Sequence, residues 1–314
     1  MEKRLPNKKF RELVSFLKEE KIYQDKNTRK INWAKYNLSQ IEEAKETLVF
    51  IRDIVDECNY FPCKKVGRPL TDAKFLVKAI LFSESQLLTE RKAQGWLEIL
   101  GPFLGIQEKL DDRVIGEAYN RPEVMYILKQ LFEKVKKSDG ILSGDGTGLE
   151  TSRKQNYGED KKSTKEFLTS IVDSREIVQA FDFSGEDECR AMHSLVEEVK
   201  GNSLRLDAGF VDRKLISKIA EMGITPYVYP KKGLKLNGRL AWKLMYLEFY
   251  IDVIKWLEEY HKRSHCESFH SSFKRIYGLI RKIREPCKLT QVTARIILHN
   301  RRRLSYFNKL ANAS

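Results

Sequence analysis

No run of residues in this chain approaches the roughly 18 consecutive apolar positions of a membrane span, and the opening MEKRLPNKKF holds no apolar signal region. Cysteine is scarce as well. The five present, Cys58, Cys63, Cys189, Cys266 and Cys287, are odd in number and lack the spacing of a disulfide framework. Reduced thiols in a cytoplasmic protein are the simplest account. Cys58 and Cys63 lie close together but have no second ligand pair, which argues against zinc between them. Acids are short at one end: residues 261–314 carry 13 lysines or arginines against only Glu267 and Glu285. The whole chain has 58 Lys and Arg to 44 Asp and Glu, a net +14. A basic field of this kind attracts phosphate backbones and makes their binding salt-dependent. It would attract anionic membranes too, but no amphipathic anchor stands out, so no membrane partner is expected.

What is present suffices for a folded protein. With 314 residues, 41% of them hydrophobic, the chain has material for two domains and a proper core. Residues 1–60 read as polar helices, KKFRELVSFLKEE and SQIEEAKETLVFIRDIVDE, with Ser39 and Glu42 placed as a capping box. After a basic break, KKVGRP, come DAKFLVKAILFSES with Thr71 as cap and ERKAQGWLEIL with Thr89 as cap. LDDRVIGEAY follows, then a helix opening on Pro122. Short helices beside a basic loop suit either a helix-turn-helix DNA reader or a plain bundle. The organisation expected is a helical arm over 1–63, a helical DNA-binding domain over 64–138 and a catalytic domain with basic C-terminal helices over 139–314.

The texture changes at Ser138-Asp139-Gly140. ILSGDGTGLE reads as a strand that ends on Asp145 between glycines, followed by a polar, basic loop, TSRKQNYGEDKKSTK. EFLTSIVDS and REIVQAFDF alternate and read as antiparallel strands. ECRAMHSLVEEVK is a helix stopped by Gly201. SLRLDAGF is a strand ending on Asp207, DRKLISKIAEMG a helix with Asp212 as cap, and TPYVYP a strand. A long final helix completes the order of three strands, helix, strand, helix, strand, helix. That is the order of a ribonuclease H-like fold: an α/β five-stranded mixed sheet flanked by helices, here preceded by an all-α N-terminal domain. Its first and fourth strands are neighbours, which would set Asp145 beside Asp207, with the last helix carrying Glu267 to them.

Tyr260–Lys274, YHKRSHCESFHSSFK, is a basic segment with one acid, Glu267. At a helical rotation of about 100° per residue, Tyr260, Arg263, Glu267 and Lys274 share an arc of roughly 60°, with His270 near its edge. Phe269, Phe273, Ile276 and Ile280 fall on the opposite side, where a core would take them. Taken alone, such a charge pattern suits an ordinary solvated face, and Asp145 or Asp207 alone suits a turn or a cap. The spacing Tyr-x2-Arg-x3-Glu-x6-Lys, however, resembles the YREK signature of insertion-sequence DDE transposases, and LRLDAGFVD and TPYVYPKKG resemble their second-Asp and fifth-strand segments. Gly67-Arg68-Pro69 and Phe103-Leu104-Gly105 are similar to landmarks of the helical region ahead of the catalytic domain. The resemblance covers roughly residues 140–305 and, more loosely, 64–138.

That resemblance implies a metal-dependent DNA transposase. Asp145, Asp207 and Glu267 would be catalytic metal ligands, and Tyr260, Arg263 and Lys274 would handle DNA. Two carboxylates about 4 Å apart repel by roughly 4 kcal/mol at an effective dielectric near 20, a problem that divalent cations remove. Hard oxygen ligands favour Mg2+ or Mn2+, two ions in this chemistry. The partners implied are double-stranded DNA (terminal inverted repeats and target) and a second copy of the chain, in a cytoplasmic, nucleoid-associated protein. A ribonuclease H-like nuclease that cleaves without joining, and an inactive domesticated DNA-binding protein, are the alternatives. Arg301-Arg302-Arg303 is expected on DNA backbone. The basic stretch Lys231–Ala241 is short where some relatives carry a large β insertion that helps form a DNA hairpin. Trp242 is expected in the core rather than on a base. His261 and His265, an i,i+4 pair, point away from Glu267 and are expected to pack or lie at the surface.

Overall fold

The computed structural model describes residues 7–23, 31–62, 70–152, 165–183, 185, 187–229 and 238–311. The expectations for Cys63, Gly67-Arg68-Pro69, most of the 151–165 loop and most of the 231–241 stretch lie outside these residues. The element order is α1 (Asn7–Glu19), α2 (Trp33–Asp56), α3 (Ala73–Ser85), α4 (Glu90–Leu100), α5 (Asp112–Ala118), α6 (Pro122–Val135), β1 (Ile141–Glu150), β2 (Lys165–Val172) and β3 (Val178–Asp182). Then come α7 (Glu188–Leu195), β4 (Ser203–Leu206), α8 (Arg213–Glu221), β5 (Thr225–Val228), α9 (Leu240–Ile251), α10 (Val253–His261), α11 (Ser264–Tyr277) and α12 (Glu285–Ala311). No described helix is long and apolar enough to cross a membrane.

The chain divides into two compact units, one of Met1–Lys30, Ser138–Thr147 and Phe167–Ser271, the other of Ile31–Lys137, Gly148–Glu166 and Ser272–Ser314. The second is a helical bundle in which α12 packs against α2, α3 and α6. Helix α3 is buried on nearly every side, from Leu76 to Glu84, and α12 from Cys287 to Asn300. Several of the polar side chains that this burial traps are paired. Glu84 accepts hydrogen bonds from Tyr119 Oη (2.8 Å), Gln291 Nε2 (2.8 Å) and Arg295 Nε (2.7 Å).

Several helix starts differ from the sequence reading because a better acceptor lies nearby. Asn32 accepts from the Lys35 amide (3.1 Å), so α2 begins well before Ser39, whose hydroxyl donates to the Tyr36 carbonyl in mid-helix. Asp72 rather than Thr71 caps α3, accepting from the Lys74 amide at 2.7 Å. Thr89 stands at the N-cap of α4 without a side-chain bond. Pro122 opens α6 and Asp212 caps α8, both as expected.

The first unit is built on a five-stranded sheet in the order β3-β2-β1-β4-β5. β2 and β3 are antiparallel, whereas β1 pairs with β4 and β4 with β5 in parallel. This is the mixed ribonuclease H-like sheet that the element order predicts. Because side chains alternate across a strand, β1 and β4 each sort into two sets. Leu142, Leu204 and Leu206 join Met192 and Leu195 of α7, Leu215, Ile216 and Ile219 of α8, and Trp242, Met245 and Tyr246 of α9 in one core. Trp242 is fully buried there, as expected; emptying that volume by Trp242→Ala would cost about 3–5 kcal/mol. Ser143, Asp145, Arg205 and Asp207 belong to the alternate set. A second core gathers Val14 and Leu17 of α1, Tyr23, Phe249 of α9 and Trp256, Leu257 and Tyr260 of α10.

Two features depart from the sequence reading. β1 does not end on Asp145 but runs to Glu150; only its pairing with β4 stops, at Gly144 opposite Leu206. The long final helix is three helices. Asp252 leaves helical geometry (φ −147°, ψ 88°) and caps α10 through the Lys255 amide at 3.0 Å. Between α10 and α11 three amides, of Arg263, His265 and Cys266, bond to carbonyls three residues back. Such tighter turns advance each residue further around the axis than an α-helix does. Tyr260 and Arg263 are therefore not on one uninterrupted helix with Glu267.

Candidate active site

Register places the two aspartates. The last paired positions of β1 and β4 are Gly144 and Leu206, and Asp145 and Asp207 each follow by one residue. They leave neighbouring parallel strands side by side. Glycine at 144 serves close packing on the other face: a Cβ there would stand 2.7 Å from Leu206 Cδ2 and 2.8 Å from Met192 Cε. Asp207 ends its strand and accepts from the Ala208 amide, opening a one-turn 3-10 helix, Ala208–Phe210.

The turn joining α10 to α11 is tied to the same two strands. Ser143 Oγ donates to the Lys262 carbonyl at 3.1 Å. Arg205, fully buried, donates from Nε to the Glu259 carbonyl (2.7 Å) and from Nη2 to the Glu259 carboxylate (2.5 Å). Ser143 and Arg205 face one another in the register, and each lies two residues before one aspartate. One polar pair thus fixes the turn beside the aspartates, and Arg263 leaves that turn toward them.

Arg263 Nη1 stands 3.5 Å from Asp145 Oδ2, and its Nη2 is 2.5 Å from Glu267 Oε1. Burial pushes the Asp145 carboxyl up to about 6; Arg263 and the Gly146 amide oppose the rise, while Asp207 and Glu267 add to it. Burial also works against the charge of Arg263, but Tyr260, Glu267, Asp145 and Asp207 together outweigh it and raise its pKa. Arg263 is thus coupled to all four of the other groups. The ligand oxygens of the three acids do not all lie within 4.8 Å; among the described residues the set of possible metal ligands that does is Cys189, His193 and Asp212.

Tyr260 is buried, its ring stacked on Trp256 (centroids 5.3 Å apart, 8° between planes) and tilted against Tyr229 at 5.2 Å. Burial raises its phenol pKa. Lys274 is exposed on α11, two turns beyond Glu267 on the same side of the helix. Arg301 donates to Glu46 (2.8 Å) and Arg302 approaches Glu43 (3.8 Å), while Arg303 lies over the rings of Tyr306 and Phe307. Both histidines of the i,i+4 pair are in packing positions: His265 is buried and His261 lies 5.4 Å from the Tyr23 ring. Phe269 and Phe273 are buried as expected, but Ile280 lies past the end of α11, where its amide bonds the Glu150 carbonyl at 2.8 Å.

The sequence reading did not single out Ser143, Arg205 and Glu259, nor the trio Cys189, His193 and Asp212. The first three carry no motif, being polar residues within strand and helix patterns. The i,i+4 spacing of Cys189 and His193 was a readable signal, but the third member comes from another helix.

Fold and site together define a ribonuclease H-like protein with acidic residues gathered at the ends of its paired central strands. The chain belongs to the transposase DDE domain family, whose model matches residues 136–298, more than half its length. It is also similar to a piggyBac transposase solved by cryo-electron microscopy as a synaptic complex with hairpin DNA: identity is 9%, the match covers 87% of this chain and 73% of that one, and the TM-score is 0.40. Comparison with curated protein sequences finds no match.

Proposed function

We propose that this protein is a DNA transposase that binds the inverted-repeat ends of its element, hydrolyses the 3′ phosphodiester there and joins the freed 3′-OH to target DNA. The observation that carries this reading is the register of β1 and β4, which sets Asp145 beside Asp207, together with the coupling of Asp145, Asp207 and Glu267 to Arg263.

The residues fit a pair of divalent ions. Three carboxylates, Asp145 among them with a pKa pushed up by burial and by its acidic neighbours, are a hard, anionic oxygen set suited to Mg2+ or Mn2+. They need not close to the spacing of a single ion, because two ions ~3.5–4 Å apart with ligands at ~2 Å separate the outermost oxygens by ~8 Å. Asp145, Asp207 and Glu267 would hold them, and the ions would supply activation of the attacking oxygen and stabilisation of the leaving one.

The protein's own side chains do the rest. Asp145 is largely ionised at neutral pH, and keeps that charge beside two other acids because Arg263 compensates it. When a phosphate enters, Arg263 can exchange carboxylate for non-bridging phosphate oxygens, charge-assisted hydrogen bonds in both cases. Lys274 adds a point charge further along α11. With the Tyr260 ring held against Trp256 and Tyr229, its hydroxyl rather than its face is the part offered to a phosphate. Arg301, Arg302 and Arg303 add to the basic field along α12; the pairing of Arg301 and Arg302 with acids of α2 makes those two weaker phosphate ligands than Lys274. Joining two ends requires both to be held at once, so a homodimer on DNA belongs to the proposal.

Asp145→Asn, Asp207→Asn and Glu267→Gln, assayed with Mg2+ on uncut and pre-cut ends, test the reading. Each should lose cleavage and joining while still binding ends. Retained cleavage and joining by Asp145→Asn would overturn it.

A further inference from the structure

A second cluster of ligand atoms lies apart from the three acids. Cys189 and His193 are four residues apart on α7, so their side chains rise from one face of the helix. Asp212, the N-cap of α8, comes to meet them: its Oδ1 accepts from the Lys214 amide at 2.8 Å, and its Oδ2 is 2.7 Å from His193 Nε2. One ligand atom from each residue lies within 4.8 Å of the others, and all three residues are half-buried. Both supporting elements start from fixed ends, since Asp187 caps α7 through the Cys189 amide at 3.0 Å.

We propose that Cys189, His193 and Asp212 form a zinc site. Thiolate, imidazole and carboxylate are the ligand types of Zn2+, which takes four in a tetrahedron at about 2.0–2.3 Å; adjacent ligand atoms then stand ~3.3–3.8 Å apart, within reach by small side-chain rotations. On binding, the Cys189 thiol releases its proton to water, and the ion takes the place of the proton between His193 and Asp212, which moves to the other ring nitrogen of a neutral imidazole or leaves to water from an imidazolium; the resulting thiolate and carboxylate balance the two charges of the ion. Water completes the fourth position at the half-exposed rim. The sulfur ligand separates this site from the three acids, since Mg2+ takes hard oxygen donors and Zn2+ accepts sulfur and nitrogen.

The consequence is mechanical. Asp212 and Asp207 share one tight segment, in which the Phe210 amide bonds the Asp207 carbonyl (3.0 Å) and the Asp212 amide bonds the Phe210 carbonyl (2.8 Å). On its other side, α7 leans on β1 beside Asp145: a Cβ on Gly146 would stand 2.3 Å from Glu188 Oε1. The ion would therefore clamp α7 to the segment that carries Asp207, holding β1 beside Asp145 and the segment after β4 in one arrangement. The inference concerns binding and stands whether or not the chain cuts DNA.

The test uses the full-length protein, stripped of metal and titrated with Zn2+, then with Co2+ as a spectroscopic stand-in. The variant Asp145→Asn/Asp207→Asn/Glu267→Gln serves as background, so that the three acids contribute nothing. One equivalent of Zn2+ should bind, and Co2+ should give a thiolate-to-metal charge-transfer band. Cys189→Ser and His193→Ala should lose both. Asp212→Asn, which preserves the α8 cap, should weaken binding by at least tenfold with circular dichroism unchanged. Absence of a bound equivalent in the background protein, absence of the charge-transfer band, or stoichiometric Zn2+ binding by a folded Cys189→Ser protein would overturn the proposal.

Discussion

The guanidinium of Arg263 stands 3.5 Å from the carboxylate of Asp145 and at the same time holds Glu267. One cation thus bridges an acid of the central strand and an acid of α11, and it compensates a carboxyl that burial alone would drive further toward its neutral form. Removing that cation should leave its signature in a pH profile. In Arg263→Gln the Asp145 pKa rises above about 6, so the acidic limb of the Mg2+-dependent cleavage profile should move to higher pH. A pH–rate comparison of the two proteins on the same DNA end checks this, and an unmoved limb would contradict it.

Asp145 itself makes stability depend on pH in a definite direction. Its folded pKa, about 6, lies above the ordinary value near 3.9. Its contribution to stability is therefore complete below about pH 4 and is lost as the pH rises through about 6. Asp145→Asn removes that loss. In EDTA at pH 7.5 the variant should be more stable than the wild type by about 1–2.5 kcal/mol, a two-unit shift being worth at most about 2.7 kcal/mol. Thermal unfolding at pH 5 and pH 7.5 measures the difference, which should shrink at the lower pH.

In the helical unit, Glu84 holds Tyr119, Gln291 and Arg295 in a buried cluster. Glu84→Ala would strand the Arg295 charge and should destabilise the unit by about 3–5 kcal/mol. A joint replacement, Glu84→Leu with Arg295→Met, should recover much of that loss, because a buried pair replaced by apolar groups of similar size loses little. Denaturant midpoints of the two variants decide.

Lys274 is exposed on α11, and in the proposed role it meets a phosphate, not a base. Lys274→Ala should weaken binding evenly across DNA sequences and lower the slope of log K against log salt by about one. A salt titration by fluorescence anisotropy on a terminal repeat and on unrelated DNA reads both effects; a loss confined to one sequence would assign Lys274 to base readout instead.

Much of the scaffold was legible because alternation and helical spacing report burial directly. The strand segments around Leu142, Ile171, Ala180, Leu204 and Val228 and the helix of Asp212–Glu221 were readable in this way. Caps were less legible. Ser39 and Thr71 have the right chemistry, but Asn32 and Asp72 lie better placed, and only the folded backbone shows which side chain reaches an amide. The break between α10 and α11 was missed for a related reason: a helical wheel assumes a constant rotation, and three bonds of shorter span alter it locally. Cys189, His193 and Asp212 were each visible, but nothing in a one-dimensional spacing joins the first two to a cap on another helix.

The sequence by itself determined which residue types alternate, which acids stand alone in basic surroundings and in what order strands and helices follow, since these depend on local propensity and on the hydrophobic pattern. Tertiary structure decided the register that puts Gly144 opposite Leu206, and the buried Arg205–Glu259 pair that holds the α10–α11 turn to the sheet. Those are long-range contacts between segments far apart in the chain. They exist only once the sheet has closed, because a buried guanidinium is tolerated only where the fold itself supplies its acceptors.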